Sequence, residues 1–558
     1  MNLKKLKKTE TFFKFNSRKS HKAFLFFLLI FSIYYSLTIG KSWDEDFQLF
    51  QGKVALDYLF SFGKIDKDYL YREYYSTIYW SLKYFLTLIF PYKYQIEISH
   101  LINLIFSLSG IIAIGKLSKE LFNKKVGKIV FLVLFFYPIF FGHMAFNDKD
   151  MVLAVCHVWI FYLVIKYLKK QNIKDKSNYY VIFLGMLAAI ATGIHITFLG
   201  ALIPIFLFVL IEIFILKKFI SKSFSKKKLY VDLIKIFLVF YFLLILFWID
   251  THSNIFILPI NIFLEHFKLL SGEQWRGWPY NLLNGQYYLS WQVPKLHFLI
   301  NLIYKSPEYF LACYIIFFII FIKSNIFFKK KFQFFNFKLI LLISIMSIPS
   351  IIGFIIPIQI YDGMRQFLWA VPYFCIIPGL TIYYLIENFN LLKSKLALIS
   401  LSLFIIYFLF NFFLITPYQY TYLNLFNGKV ENRYKKFEND YWASSINELI
   451  KHSDFDKGKT IKFATCGIPS IFPKNYLKKK GYTNFMFSHP KQADYIIMTN
   501  RTLLVSGNLT LESTNETVKI INCFDRFKGK DIFKVKRNGL LLSVIRKKTQ
   551  QDNWVSEK

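Results

Sequence analysis

The chain has 558 residues, 55% of them hydrophobic and 20% aromatic, and a net charge of +36. Its mean hydropathy is +0.37. Together with repeated apolar runs of about 18 residues or more, this excludes a soluble globular protein and leaves a polytopic membrane protein. The charge does not mark a nucleic-acid partner. The lysines pile up in short links between apolar runs, as cytoplasmic loops do under the positive-inside rule.

A basic stretch from Lys4 to Lys22 leads into a first apolar run at about 23–39. No small-residue cleavage site follows, so the run reads as an uncleaved helix with its N-terminus in the cytoplasm. Directly after it come Trp43, Asp44, Glu45 and Asp46. Three consecutive carboxylates where a helix leaves the bilayer are costly unless used, which makes them a functional hypothesis. Residues 40–95 mix apolar positions at three- and four-residue spacing with polar ones, and carry Tyr69, Tyr71, Tyr74, Tyr75, Tyr79 and Trp80. That pattern predicts helices lying in the interface plane.

Ten further spans are predicted at about 96–115, 129–142, 151–168, 179–197, 199–216, 231–249, 308–326, 338–357, 367–386 and 396–415. The total is about eleven, with the N-terminus inside and the C-terminus outside. Lysine clusters such as Lys329-Lys330-Lys331 and acidic motifs such as Asp148-Lys149-Asp150 sort to opposite sides. A long external loop at about 250–307 contains Glu273, Trp275, Arg276 and Trp278.

Three parts follow: a basic N-terminus (1–22), a transmembrane domain with external loops 40–95 and 250–307 (23–429), and a soluble tail (430–558). The tail reads as a small α/β domain, with a helix at about 441–452 and strands at about 460–464, 495–498 and 540–545. Nothing in it has catalytic spacing. Cys156, Cys313 and Cys375 fall in apolar runs as packing residues, whereas Cys466 and Cys523 lie in the tail, where a pairing is open to them.

The polar residues assigned to the external side include Asp44, Glu45, His143, Asp148, Lys149, Asp150, His252, Trp275, Arg276, Tyr361, Asp362 and Arg365. Carboxylates suit a general base or a divalent metal. Arginine suits capture of a phosphate, and aromatic rings suit a sugar face. Together they fit transfer of a group from a membrane-embedded lipid phosphate to a hydroxyl. The histidines read as structural rather than as metal ligands.

Trp43-Asp44-Glu45 after the first span resembles the acidic signature of the GT-C superfamily, the integral-membrane glycosyltransferases that use polyprenyl-phosphate sugars. Three later stretches resemble its bacterial branch of protein-mannosyltransferase and aminoarabinose-transferase type. They are His143 to Asp150, Tyr361 to Phe367, and Thr416 to Asn424 with Phe437 to Trp442. The branch often has Pro at the position of Asp148 and His at that of Thr416.

The resemblance implies a GT-C-like α-helical fold and a sugar transfer at the outer membrane face, for which one displacement with one base predicts inversion. It implies Asp44 as base, with Glu45 orienting acceptor or base. Asp148 and Asp150 would form a second acidic cluster, with Lys149 near the donor phosphate and Arg365 binding it. Tyr361, Asp362, Trp275 and Arg276 are candidate substrate contacts. The implied partners are a polyprenyl-phosphate sugar, a lipid, glycan or protein acceptor, and membrane lipid. A bacterial source would put the active face and the tail in the periplasm. The alternatives are a polysaccharide polymerase or ligase using a lipid-diphosphate glycan, and a transporter or flippase.

Overall fold

The structure is a computed structural model and describes residues 3–64, 75–221, 223–270, 277–355, 359–456, 458–510, 517–549 and Trp554. Helix α1 (Leu3–Thr38) carries the first apolar run and ends just before the acidic stretch. Two helices too short to span follow, α2 (Glu45–Phe60) and α3 (Ile78–Thr87). Gly52 lets them pack closely, because a Cβ there would stand 2.3 Å from the Trp80 carbonyl oxygen.

Next come α4 (Gln95–Leu121), α5 (Lys124–Phe135), α6 (Pro138–Phe141), α7 (Asp150–Lys170), α8 (Lys174–Ile194), α9 (Phe198–Ala201), α10 (Ile203–Ile211) and α11 (Lys226–Leu246). Residues 258–305 add α12 (Leu258–Leu270), a hairpin of β1 (Tyr280–Leu283) and β2 (Gln286–Leu289), and α13 (His297–Lys305). The remaining apolar helices are α14 (Glu308–Lys331), α15 (Phe335–Ile355), α16 (Val371–Phe374), α17 (Ile376–Glu387) and α18 (Leu392–Leu414).

Nine helical stretches among the described residues are long and apolar enough to cross a membrane, and Lys22–Thr38 is a shorter apolar one. The count differs from the expected eleven at that first run and at the third span. There α5 stops at Phe135 and a new helix begins at Pro138. Proline lacks an N–H and disfavours helical geometry in the residue before it. Tyr137 is accordingly extended, with φ −77° and ψ 112°. The break lets the chain bend into the polar stretch 142–149.

Lysine-rich helix ends gather on the face opposite the acidic stretches. Glu387 at the end of α17 takes Lys125 of α5 at 2.5 Å and Lys331 of α14 at 3.7 Å. Glu120 of α4 takes Lys166 and Lys169 of α7 at 2.6 and 3.1 Å. By contrast α7 and α14 start on the other face, at Asp150 and Glu308.

Beyond α18 the chain runs through α19 (Ile446–His452), α20 (Ile471–Lys479) and α21 (Cys523–Arg526), interleaved with strands. These are β3 (Ile461–Cys466), β4 (Phe485–Phe487), β5 (Tyr495–Thr499), β6 (Thr502–Thr510), β7 (Thr517–Asn522), β8 (Lys530–Arg537) and β9 (Leu540–Lys547). Five strands form one sheet in the order β4-β3-β5-β9-β8, and β6 pairs with β7 apart from it. β3 is parallel to β4 and β5, and β9 is antiparallel to β5 and β8. All three expected strands are present, and Cys466 is joined to Cys523 by a disulfide. Cys156, Cys313 and Cys375 are free and buried.

Candidate active site

The turn before α7 is built by Asn147. Its side-chain oxygen accepts from the N–H of Lys149 at 3.2 Å and of Asp150 at 3.0 Å, and its amide donates to the Asp150 carboxylate at 2.9 Å. An Asn capping the first free N–H groups, with an acid in the first turn, suits the positive end of a helix. From below, Asn103 and Ser107 of α4 donate to the Met144 carbonyl at 3.1 and 2.9 Å, and Tyr79 donates to Asn103 at 2.7 Å.

From above, the segment 416–424 closes on Gly142. A Cβ there would lie 2.1 Å from the Tyr420 nitrogen, so only glycine permits the approach. His143 donates through Nδ1 to the Ile139 carbonyl (2.6 Å) and accepts through Nε2 from Tyr441 (3.0 Å). Burial pushes this imidazole down to about 3, so it is neutral and structural. His252 is likewise structural, with Nε2 2.9 Å from the Ile245 carbonyl.

So braced, the three residues Asp148, Lys149 and Asp150 point in three directions. Asp148 forms a fully buried ion pair with Lys83 of α3. Lys149 reaches Asp44 with Nζ 3.3 Å from Oδ2. Burial opposes the Lys149 charge, but Asp44, Tyr75 and Tyr361 outweigh it and hold its pKa above the ordinary lysine value. Asp150 faces Arg365 at 3.8 Å. The expected single cluster of Asp148 with Asp150 is therefore split, because consecutive residues at a helix start diverge.

Glu45, expected to orient acceptor or base, is held by buried partners of its own. Its carboxylate accepts from the Ser42 N–H at 2.6 Å and pairs with His100 Nε2 at 2.8 Å, with no solvent exposure. Burial alone would raise this carboxyl; His100, Lys83 and the Ser42 N–H overcome it and leave it below the ordinary range. Asp46 pairs at the surface with Lys41 at 2.5 Å. Of the three carboxylates after α1, Asp44 is thus the one that faces the Lys149 and Arg365 side, with its side chain about one-third exposed (35%).

Arg365 opens the segment after the Tyr361-Asp362-Gly363 turn. Asp362 and Gly363 both have positive φ (58° and 69°), a conformation that Asp tolerates and Gly favours. The turn brings Asp362 back onto Arg365, with Oδ2 3.2 Å from Nε. The guanidinium lies 4.5 Å from the Trp442 ring centre and 4.9 Å from that of Tyr361. Burial and ring stacking suit arginine better than lysine here.

Sequence reading missed several residues that the fold brings in. Lys83 and His100 close the two buried pairs, and a lone lysine in an apolar helix was the legible signal for the first. Glu438 lies in the Phe437 to Trp442 stretch, which the sequence marks without giving Glu438 a role, and Arg501 arrives from farther along the tail, where no catalytic spacing is expected. Arg501 Nη1 bonds Asp362 and lies 3.5 Å from Glu438 Oε2. Burial pushes the Glu438 carboxyl up to about 7 despite Arg501. Lys305 of α13 is buried beside them, and burial brings its ammonium down to about 8 against Glu438 and Asp362. Trp275 and Arg276 lie outside the described residues, as do Tyr69, Tyr71 and Tyr74.

Among the described residues no three His, Cys, Asp or Glu side chains converge as metal ligands. Asp44, Asp148 and Asp150 each face a cation of the chain itself: Lys149, Lys83 and Arg365.

Residues 77–248 match the family profile described as dolichyl-phosphate-mannose-protein mannosyltransferase. No curated protein matches the chain in sequence. Among solved structures, ArnT from Cupriavidus metallidurans in the apo state is similar at 10% identity, covering 94% of this chain and 98% of that one, with a TM-score of 0.48. The form bound to undecaprenyl phosphate is similar at 9% identity, with the same coverage of 94% and 98% and a TM-score of 0.48. AglB from Archaeoglobus fulgidus, in complex with an inhibitory peptide and a dolichol-phosphate, is similar at 10% identity. It covers 86% of this chain and 70% of that one, with a TM-score of 0.44. The profile match runs from α3 to just past α11 and takes in one of the motif stretches, His143 to Asp150, which the sequence reading likened to a protein-mannosyltransferase branch.

Proposed function

We propose that this membrane protein transfers a sugar from a polyprenyl-phosphate donor to a hydroxyl acceptor, with Asp44 as general base and Arg365 at the donor phosphate. One observation carries the reading: a partly exposed carboxylate, a lysine and an arginine gather around the start of α7, although they come from three distant loops. Asp44 is 35% exposed on its side chain, whereas Lys149 and Arg365 are 17% and 9% exposed. The description of the profile matched by residues 77–248 names a lipid-phosphate sugar donor as well.

In this reading the acceptor O–H gives its proton to Asp44 as its oxygen attacks the anomeric carbon. The bond from that carbon to the phosphate oxygen breaks, and the polyprenyl phosphate leaves with the electron pair. One displacement with one base inverts the anomeric carbon. A phosphate leaves readily, so a cation at its oxygens suffices in place of a strong general acid. Arg365 and Lys149 supply such cations, each with a carboxylate to hold it until the phosphate arrives. The lysine-rich opposite face supports a cytoplasmic reading of that side, with the site and the C-terminal sheet outside; in a bacterial envelope that side would be the periplasm.

The test is transfer of label from a panel of radiolabelled polyprenyl-phosphate sugars by purified protein in lipid, wild type against Asp44→Asn. Label leaving the lipid only with wild type supports both enzyme and base. Equal transfer by a folded Asp44→Asn variant moves the base to another residue. No transfer from any donor overturns the reading.

A further inference from the structure

Arg501 stands in the turn between β5 and β6, yet its guanidinium is buried against the loops of the membrane helices. Its side chain is 1% exposed. Nη1 bonds Asp362 and also approaches Glu438. Two indoles stand against the guanidinium, with ring centres 4.4 Å away at Trp278 and 5.0 Å away at Trp43. Nε and Nη2 are buried and make no hydrogen bond to any described residue.

The backbone that delivers this side chain is fastened on both sides. Thr502 donates to Glu438 Oε1 from its N–H (2.8 Å) and its hydroxyl (2.9 Å). Asn500 accepts from the Asn439 N–H at 2.8 Å and donates to the Phe437 carbonyl at 2.8 Å. The Arg501 carbonyl accepts from the Cys523 N–H at 2.9 Å, and Cys523 is bonded to Cys466. Gly467 (φ +72°) follows that cysteine, where a Cβ would press on the Arg501 Cβ at 2.4 Å. Such bracing is more than a surface arginine needs.

We infer that Arg501 is a positioning residue of the transfer site, supplied by the C-terminal part to hold Asp362 and Trp43. The inference rests on the proposed function. Asp362 divides its two oxygens between Arg501 and Arg365, and Trp43 directly precedes Asp44. With Arg501 in place, Arg365 shares its aspartate and keeps donors for a phosphate. Without it, both oxygens of Asp362 turn to Arg365 and the incoming phosphate must displace them. The loss therefore falls on donor binding more than on the chemical step. A sequence separation of 139 residues between Arg501 and Asp362 makes the C-terminal part integral to the donor site.

The experiment measures binding of undecaprenyl phosphate to full-length protein in nanodiscs, and KM against kcat for the sugar donor. It compares wild type, Arg501→Lys, Arg501→Gln and the double variant Arg501→Gln/Glu438→Gln. The double variant removes both members of a buried charge pair and so guards against misfolding. The expected result is an affinity and a KM about tenfold or more worse in Arg501→Gln and in the double variant. The worth of a charged hydrogen bond sets that scale. kcat should change much less, and Arg501→Lys should fall between. Wild-type binding matched by both Gln variants overturns this inference alone. So does a fall in kcat with KM unchanged. A wild type that binds no polyprenyl phosphate overturns the proposed function and this inference with it.

Discussion

Asp44 and Lys149 meet at 3.3 Å across 105 residues of chain. The lysine stands at the start of α7, and the aspartate immediately precedes α2. Each fixes the other on the face where Arg365 also emerges. Replacing Lys149 with Met should therefore lower kcat for sugar transfer by about tenfold or more, through a lost charge-assisted contact. Lys149→Arg should retain most of it. Steady-state kinetics of the two variants check this, and an unchanged kcat in Lys149→Met would detach the lysine from the site.

Lys83 and Asp148 form a pair of another kind, because both are sealed from solvent. Breaking a buried pair from one side strands a charge and costs about 3–5 kcal/mol, whereas replacing both partners is often neutral. Asp148→Leu and Lys83→Met should each lower the Tm sharply, and the double variant should recover most of the loss. Transfer activity in the recovered double variant then reports whether the pair has any role beyond the fold.

Glu438 gives the site a pH dependence. Its carboxyl titrates at about 7 in the folded chain, above its ordinary 4.5, because burial disfavours the charge. Its stabilising contribution is complete below about pH 4.5 and is lost as pH rises through about 7. The full span is on the order of 3 kcal/mol. Glu438→Gln should flatten the fall in stability over this range, as read from thermal unfolding at a series of pH values. An unaltered slope would assign the dependence to another group.

The Cys466–Cys523 disulfide closes a loop of 57 residues around α20, β4, β5, β6 and β7. A loop of that length is worth about 4 kcal/mol in the chain-entropy account. Cys466→Ser/Cys523→Ser should unfold at lower temperature than wild type. Reducing agent should bring wild type down to the variant's Tm and leave the variant unmoved.

Much of this protein was legible in its sequence, for reasons that operate locally. Apolar runs must cross the bilayer because an unpaired backbone cannot stay in hydrocarbon, and lysines sort to one side of them. Strands β3, β5 and β9 announced themselves by β-branched and apolar runs. The resemblance of Tyr361 to Phe367 singled out Arg365, and the acidic run after α1 singled out Asp44, whereas the left-handed turn at Asp362 and Gly363 came only with the structure.

Only the tertiary structure decided how the charges are matched. Glu45 and Asp148 look alike to Asp44 and Asp150 in sequence, yet the first two are closed by His100 and Lys83. Asp44 and Asp150 face Lys149 and Arg365. That choice rests on helix packing, because a residue's direction at a helix start is set by what stands opposite. Arg501 had no local pattern at all. Its place beside Asp362 depends on a sheet folding back over the membrane helices, a contact between segments that no short stretch encodes.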